Sequence, residues 1–107
     1  MGELTATDAA ASRGLNILIV DDSAMMRAMI KRVITVCGVS VERVLEAGNG
    51  REAIDVLANT DVDVLFTDIN MPVMGGTELL RAIHQDGRWS TLRRAIISTD
   101  GSAVRRA

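Results

Sequence analysis

The stretch Val62 to Gly76 reads VDVLFTDINMPVMGG: an apolar run, a threonine, a carboxylate at Asp68, and then the chain's only proline, Pro72. The run predicts a buried strand. Desolvating a charge is costly, so a carboxylate that closes such a strand needs a partner or a task. Neither lies within the stretch, and the rest of the chain has to supply it.

The 107 residues suit one small domain. Hydrophobic residues make up 48% and charged residues 24%, the balance of a globular chain rather than a disordered one. Phe66 and Trp89 are the only aromatics, so the core must be aliphatic and methionine-rich. A net charge of −2 argues against a nucleic-acid binder, which usually carries a basic face. Arg93, Arg94, Arg105 and Arg106 accordingly read as solvated surface. Cys37 has no cysteine partner, which fits a reducing cytoplasm, and its apolar neighbours Val36 and Val39 predict a core thiol. No run reaches membrane-spanning length, and the amino terminus lacks the basic start and apolar stretch of a signal peptide. Residues 1–13 are expected as a flexible tail and 14–107 as a single cytoplasmic domain.

Either side of Val62 the pattern repeats. Asn16–Val20 (NILIV) predicts a strand covered on both faces. From Ala24 to Cys37 the spacing becomes helical. Met25, Met29, Val33 and Val36 form a stripe expected to face the core, widened by Met26, Ile30 and Ile34, with Arg27, Lys31, Arg32 and Thr35 mostly away from it. Asp22 or Ser23 can cap its start and Gly38 its end. Arg43–Ala47 predicts a second strand, and Asn49 a helix cap with Glu52 as reciprocal partner. Thr77–Asp86 predicts a third helix with Leu79, Leu80 and Ile83 inward, and Ala95–Ser98 a fourth strand. Strand and helix alternate, which implies right-handed crossovers and a parallel sheet whose ligand site lies beyond the carboxyl ends of its strands.

Reactive residues stand where that rule puts them. Asp21 and Asp22 follow Val20, Asp68 follows Thr67, and Ser98 and Thr99 follow Ile97. At about 4 Å and an effective dielectric near 20, each carboxylate pair repels by roughly 4 kcal/mol. A raised pKa or a bound cation relieves such repulsion. Oxygen donors without histidine or cysteine suit a hard ion, and Mg²⁺ is the natural candidate. His84 and Cys37 lack ligand spacing, so zinc is not expected, and His84 reads as a solvated helix residue. Gly48-Asn49-Gly50 lacks a third glycine and reads as a turn with a helix cap rather than a nucleotide loop.

Three segments, ILIVDDSAMMR (17–27), LFTDINMPVMGG (65–76) and IIST (96–99), resemble the receiver domain of bacterial two-component response regulators, most nearly the single-domain chemotaxis type. The resemblance implies an α/β doubly wound parallel sheet, flavodoxin-like, with strand order 2-1-3-4-5. It implies a phosphoryl acceptor at Asp68, taking its group from a sensor histidine kinase, and Mg²⁺ held by Asp21, Asp22, Asp68 and the backbone carbonyl of Asn70. Ser98 and Thr99 would carry the switch, although Thr99 stands where the family usually has a small residue. Pro72 and Gly76 would shape the turn beside the acceptor. The implied partners are the kinase and a downstream target or output domain, and the implied role is signalling rather than enzymatic turnover.

The chain departs from the family after its fourth strand. The family continues with a helix, a fifth strand ending in lysine and a last helix; here the sequence stops at Ala107, and Lys31, on the polar side of the first helix, is the only lysine. The expected fold is therefore truncated after the fourth strand, lacking the fifth strand and last helix, as in a fragment of a longer protein. The exposed edge invites self-association. Two other functions stay open: a pseudo-receiver interaction module that is never phosphorylated, and a Mg²⁺-dependent phosphatase with an aspartyl nucleophile. The latter generally has a second Asp two positions on, where this chain has Asn70.

Overall fold

The computed structural model describes residues 14–97, and Ser98, Thr99 and the expected tail 1–13 lie outside them. Four strands, β1 (Leu15–Val20), β2 (Val41–Ala47), β3 (Val64–Thr67) and β4 (Arg93–Ile96), form one sheet. Three helices connect them: α1 (Ala24–Val36), α2 (Gly50–Asn59) and α3 (Gly76–Gln85), the last followed by a 3₁₀ turn at Gly87–Trp89. The order is β2-β1-β3-β4 and every pairing is parallel. This is the expected α/β doubly wound sheet.

Local chemistry explains the helix ends. The Ser23 hydroxyl accepts from the Met26 amide at 3.2 Å and starts α1, which settles the choice between Asp22 and Ser23. Gly38, at φ +76°, ends it in the left-handed region that favours glycine. At α2, Asn49 Oδ1 accepts from the Glu52 amide at 2.9 Å, and Glu52 returns a bond from the Gly48 amide at 2.8 Å. The reciprocal cap is real, shifted by one residue at its far end.

The sheet separates two clusters. Leu18, Val20 and Leu65 pack with Ala53 and Leu57 of α2 and Leu79 and Ile83 of α3. Ile17 and Ile19, alternating with them along β1, pack with Ile30 and Ile34 of α1. One face thus carries two helices and the other only one among the described residues.

That asymmetry corrects two expectations. Met25 and Val36 are more than three-quarters exposed, and Met29 and Val33 are about half exposed. The helix meets the sheet along the Ile30–Ile34 row, one residue or about 100° around the axis from the methionine row. The methionine row stays in solvent because, among the described residues, no second element packs beside α1 on that face. Cys37, at the end of the same helix, is exposed rather than buried in the core.

Burial on α1 is open to a direct test. Ile30→Ala is expected to cost about 2–3 kcal/mol in urea unfolding, whereas Met25→Gln costs under about 0.5 kcal/mol. Equal losses at the two positions would refute this orientation.

Candidate functional site

The register of the sheet builds the site. Val20 pairs with Thr67 across β1 and β3, so the next residues, Asp21 and Asp68, emerge side by side from adjacent strands. The Asp68 amide donates to the Val20 carbonyl at 2.9 Å, continuing the ladder by one step. Asp22 follows on the same rim. One carboxylate oxygen from each of Asp21, Asp22 and Asp68 lies within 4.8 Å of the others. Asp21 and Asp68 are buried and Asp22 is exposed. Asn70, two residues past Asp68, is exposed.

The two buried carboxylates each have a backbone donor. Asp68 Oδ1 accepts from the Ile69 amide at 2.8 Å, and Asp21 Oδ1 from the Ser23 amide at 2.9 Å. Asp21 Oδ2 is buried without a hydrogen-bond donor. Burial above all, then the charges of Asp68 and Asp22, pushes the Asp21 carboxyl above its ordinary range, against the Ser23 bond, which acts to lower it. An oxygen-only donor set with a buried, donorless oxygen fits a hard divalent cation.

Pro72 and Gly76 bracket the turn after Asp68. A Cβ at Gly76 would collide with the Asp68 carbonyl, so only glycine allows α3 to begin this close to the acceptor strand. The Gly76 amide donates to the Ile69 carbonyl at 2.8 Å and ties the helix to that strand end. Between them Val73 stands at φ +69°, with the Met74 amide donating to the Pro72 carbonyl at 2.7 Å. This is a γ-turn of positive φ, a strained geometry for a β-branched residue, and sequence reasoning did not anticipate it.

A second polar group borders the rim and was also missed. Arg27 Nη1 donates to the Asp21 carbonyl at 2.6 Å and its Nε to Glu46 at 2.8 Å. Lys31 Nζ donates to the other Glu46 oxygen at 2.8 Å. These bonds, Lys31's first, hold the Glu46 carboxyl below the usual range. Nothing in the spacing of positions 27 and 46 announces the contact, which exists because β2 lies beside β1. A cleft of about 330 Å³ opens here, lined by Asp22, Arg27, Glu46 and Glu52 among others. A larger cavity of about 910 Å³ lies at the opposite, amino ends of the strands, around Asn16, Asp63 and Trp89. The carboxylates are remote from it, and the carboxyl end is where sheets of this type place their chemistry. His84 is exposed, as expected.

A family model described as the response regulator receiver domain matches residues 17–107. Chemotaxis protein CheY1 of Helicobacter pylori is 42% identical over 88 residues, spanning 81% of this chain and 69% of that protein. Chemotaxis protein CheY of Thermotoga maritima is 43% identical over 70 residues, or 65% of this chain and 57% of that protein. Among solved structures, chemotaxis response regulator CheY4 of Vibrio cholerae is similar at a TM-score of 0.70 and 30% identity, covering 83% of this chain and 72% of that one. The MaeR response regulator bound to beryllium trifluoride, at 20% identity and a TM-score of 0.72 over 79% of this chain and 67% of that one, shares the fold.

Two stability measurements test this geometry. Gly76→Ala should lower unfolding free energy by about 2–3 kcal/mol, because the new methyl displaces the Asp68 backbone. Val73→Gly should raise it by about 1 kcal/mol: relief of strain outweighs the entropic cost of glycine, and Val73 is 79% exposed, so little burial is lost. A destabilised Val73→Gly protein would show the strain is absent.

The raised Asp21 pKa fixes the sign of a third. Protonated Asp21 favours the fold at low pH, and that contribution is lost as pH rises through the folded pKa. At pH 7 with chelator, Asp21→Asn is therefore expected to be more stable than wild type. The gain should vanish as pH falls below the ordinary value of 3.8. Calorimetric melting across pH reads the effect, and an Asn variant less stable at neutral pH would contradict it.

Proposed function

The chain belongs to the response regulator receiver family, the signal receivers of two-component systems, and on that premise we propose that it works as a phosphoacceptor in which a histidine kinase passes a phosphoryl group to Asp68. One observation carries the reading: parallel pairing of β1 with β3 delivers Asp68 into a three-carboxylate cluster no wider than 4.8 Å. In the transfer, the N–P bond of a phosphohistidine breaks, an Asp68 Oδ–P bond forms, and the histidine nitrogen keeps the electron pair. Asp68, buried and oriented by the Ile69 amide, is held for in-line attack rather than left to rotate.

Asp21, Asp22, Asp68 and the Asn70 carbonyl would hold Mg²⁺, which when bound neutralises charge around the incoming phosphoryl group. Pro72 and Gly76 keep the turn clear of the acceptor. Ser98 and Thr99, outside the described residues, complete the reading as the switch that relays the new charge to a partner surface. The protein then acts as a signal transducer of chemotaxis-like type in the cytoplasm, with a target protein or output domain downstream. Among the described residues, no helix is long and apolar enough to cross a membrane.

A second reading draws on Lys31. Its ammonium, carried by α1, is engaged with Glu46 of β2 and not with the carboxylate cluster. A pseudo-receiver that binds partners without being phosphorylated would need no cation beside the acceptor. Incubation with acetyl phosphate and Mg²⁺, followed by intact mass measurement, separates the two. One added phosphoryl group on wild type and none on Asp68→Asn is expected. An unmodified wild type with Mg²⁺ demonstrably bound would leave the pseudo-receiver.

A second copy of the chain is a further proposed partner. β4 pairs only with β3 among the described residues, and Ile96 on it is 37% exposed. An open strand edge templates pairing, although Arg93 and Arg94 moderate it. Sedimentation velocity should show the weight-average mass rising with protein concentration, and a constant monomer mass would exclude pairing through this edge.

A further inference from the structure

The polar group on the outer side of the rim has no part in the mechanism so far. Asp21 directly follows β1, and its backbone is held from both sides: its amide donates to the Ala47 carbonyl at 3.1 Å, and its carbonyl accepts from Arg27 at 2.6 Å. The second bond lies beyond the β ladder, so a side chain does there what a strand partner does elsewhere. The same guanidinium uses its Nε on Glu46, whose other oxygen is taken by Lys31. Arg27 is the most covered of the three, with its side chain 20% exposed against 35% for Glu46 and 42% for Lys31.

We propose that Arg27 is a positioning residue for the metal-binding turn: it clamps the Asp21 carbonyl, is itself aimed by Glu46, and so sets the peptide plane from which the Asp22 carboxylate projects. The inference rests on the reading of Asp21, Asp22 and Asp68 as a Mg²⁺ site. Asp22 is exposed and gets little orientation from packing, so its place relative to Asp21 and Asp68 depends on the backbone between them. Rotation of the Asp21–Asp22 peptide would swing that carboxylate away from the other two. Groups that orient ligands from behind commonly change metal affinity by about 10-fold or more.

The guanidinium is suited to this in a way an ammonium is not. Its planar fork presents Nη1 to a carbonyl and Nε to a carboxylate in fixed relative directions. Arg27→Lys keeps the charge and loses that fixed pair of hydrogen bonds. Charge alone therefore does not restore the function, which separates clamping from simple electrostatic attraction.

Mg²⁺ affinity measured by titration calorimetry on the whole chain tests the proposal, with melting in chelator as the measure of stability. Arg27→Lys and Arg27→Ala should each weaken Mg²⁺ binding about 10-fold, and Glu46→Gln by a smaller factor of about 3. Ile34→Val, two turns further along the same helix and packed on the sheet away from the carboxylate rim, serves as a destabilised control whose Mg²⁺ affinity should stay at the wild-type value. Wild-type affinity in Arg27→Lys, or an equal loss in the Ile34→Val control, would overturn the role of Arg27 while leaving the metal site standing. Failure of the wild type itself to take up Mg²⁺ at millimolar concentration would overturn both.

Discussion

Desolvating Asp21 and Asp68 next to each other costs free energy that the metal-free protein has to recover from its packing. The arrangement around the pair limits that cost without removing it. Backbone amides of Ser23 and Ile69 each supply one hydrogen bond, and one oxygen of Asp21 still faces the cluster with no donor. The consequence is a site whose electrostatics are incomplete without a cation, with the Asp21 pKa raised chiefly by burial. Neighbouring features follow from holding that group in place: the glycine at position 76 that lets α3 approach, the positive-φ turn at Val73, and the Arg27 bond to the Asp21 carbonyl.

The two faces of the sheet play unequal parts. α2 and α3 cover β1 and β3 with a fully buried aliphatic layer, which fixes the strands whose ends carry Asp21 and Asp68. On the other face α1 packs through Ile30 and Ile34 and leaves a methionine and valine row in solvent. The more thickly packed side therefore positions the acceptor, while the thinner side carries Arg27 to the rim. Packing and chemistry meet in α1, since the helix that covers Ile17 and Ile19 also delivers the guanidinium.

Strand and helix alternation, the capping of α1 and α2, and the acidic residues at strand ends are local signals carried by neighbouring residues, and they were legible in the chain. The continuous apolar run of NILIV, buried on both faces, and the Asn49–Glu52 cap need no distant partner to be read. Asp21, Asp22 and Asp68 could likewise be singled out, because each interrupts or follows an apolar run where a charge is costly. Which row of α1 faces the sheet could not. Met25–Met29–Val33–Val36 and Ile30–Ile34 are both apolar rows by spacing, and only the seating of the helix on Ile17 and Ile19 decides between them.

Long-range pairing decided the rest. Arg27, Glu46 and Lys31 come together because β2 lies beside β1, and Asp21 meets Asp68 because β3 lies on the other side; 47 residues separate the last two in the chain. Residue types and their local order determine which groups can do chemistry and which elements carry them. The distances between those groups, and the burial that raises the Asp21 pKa, arise only when hydrogen-bonded registers fix remote segments against one another, because spacing along a chain carries no information about separation across a sheet.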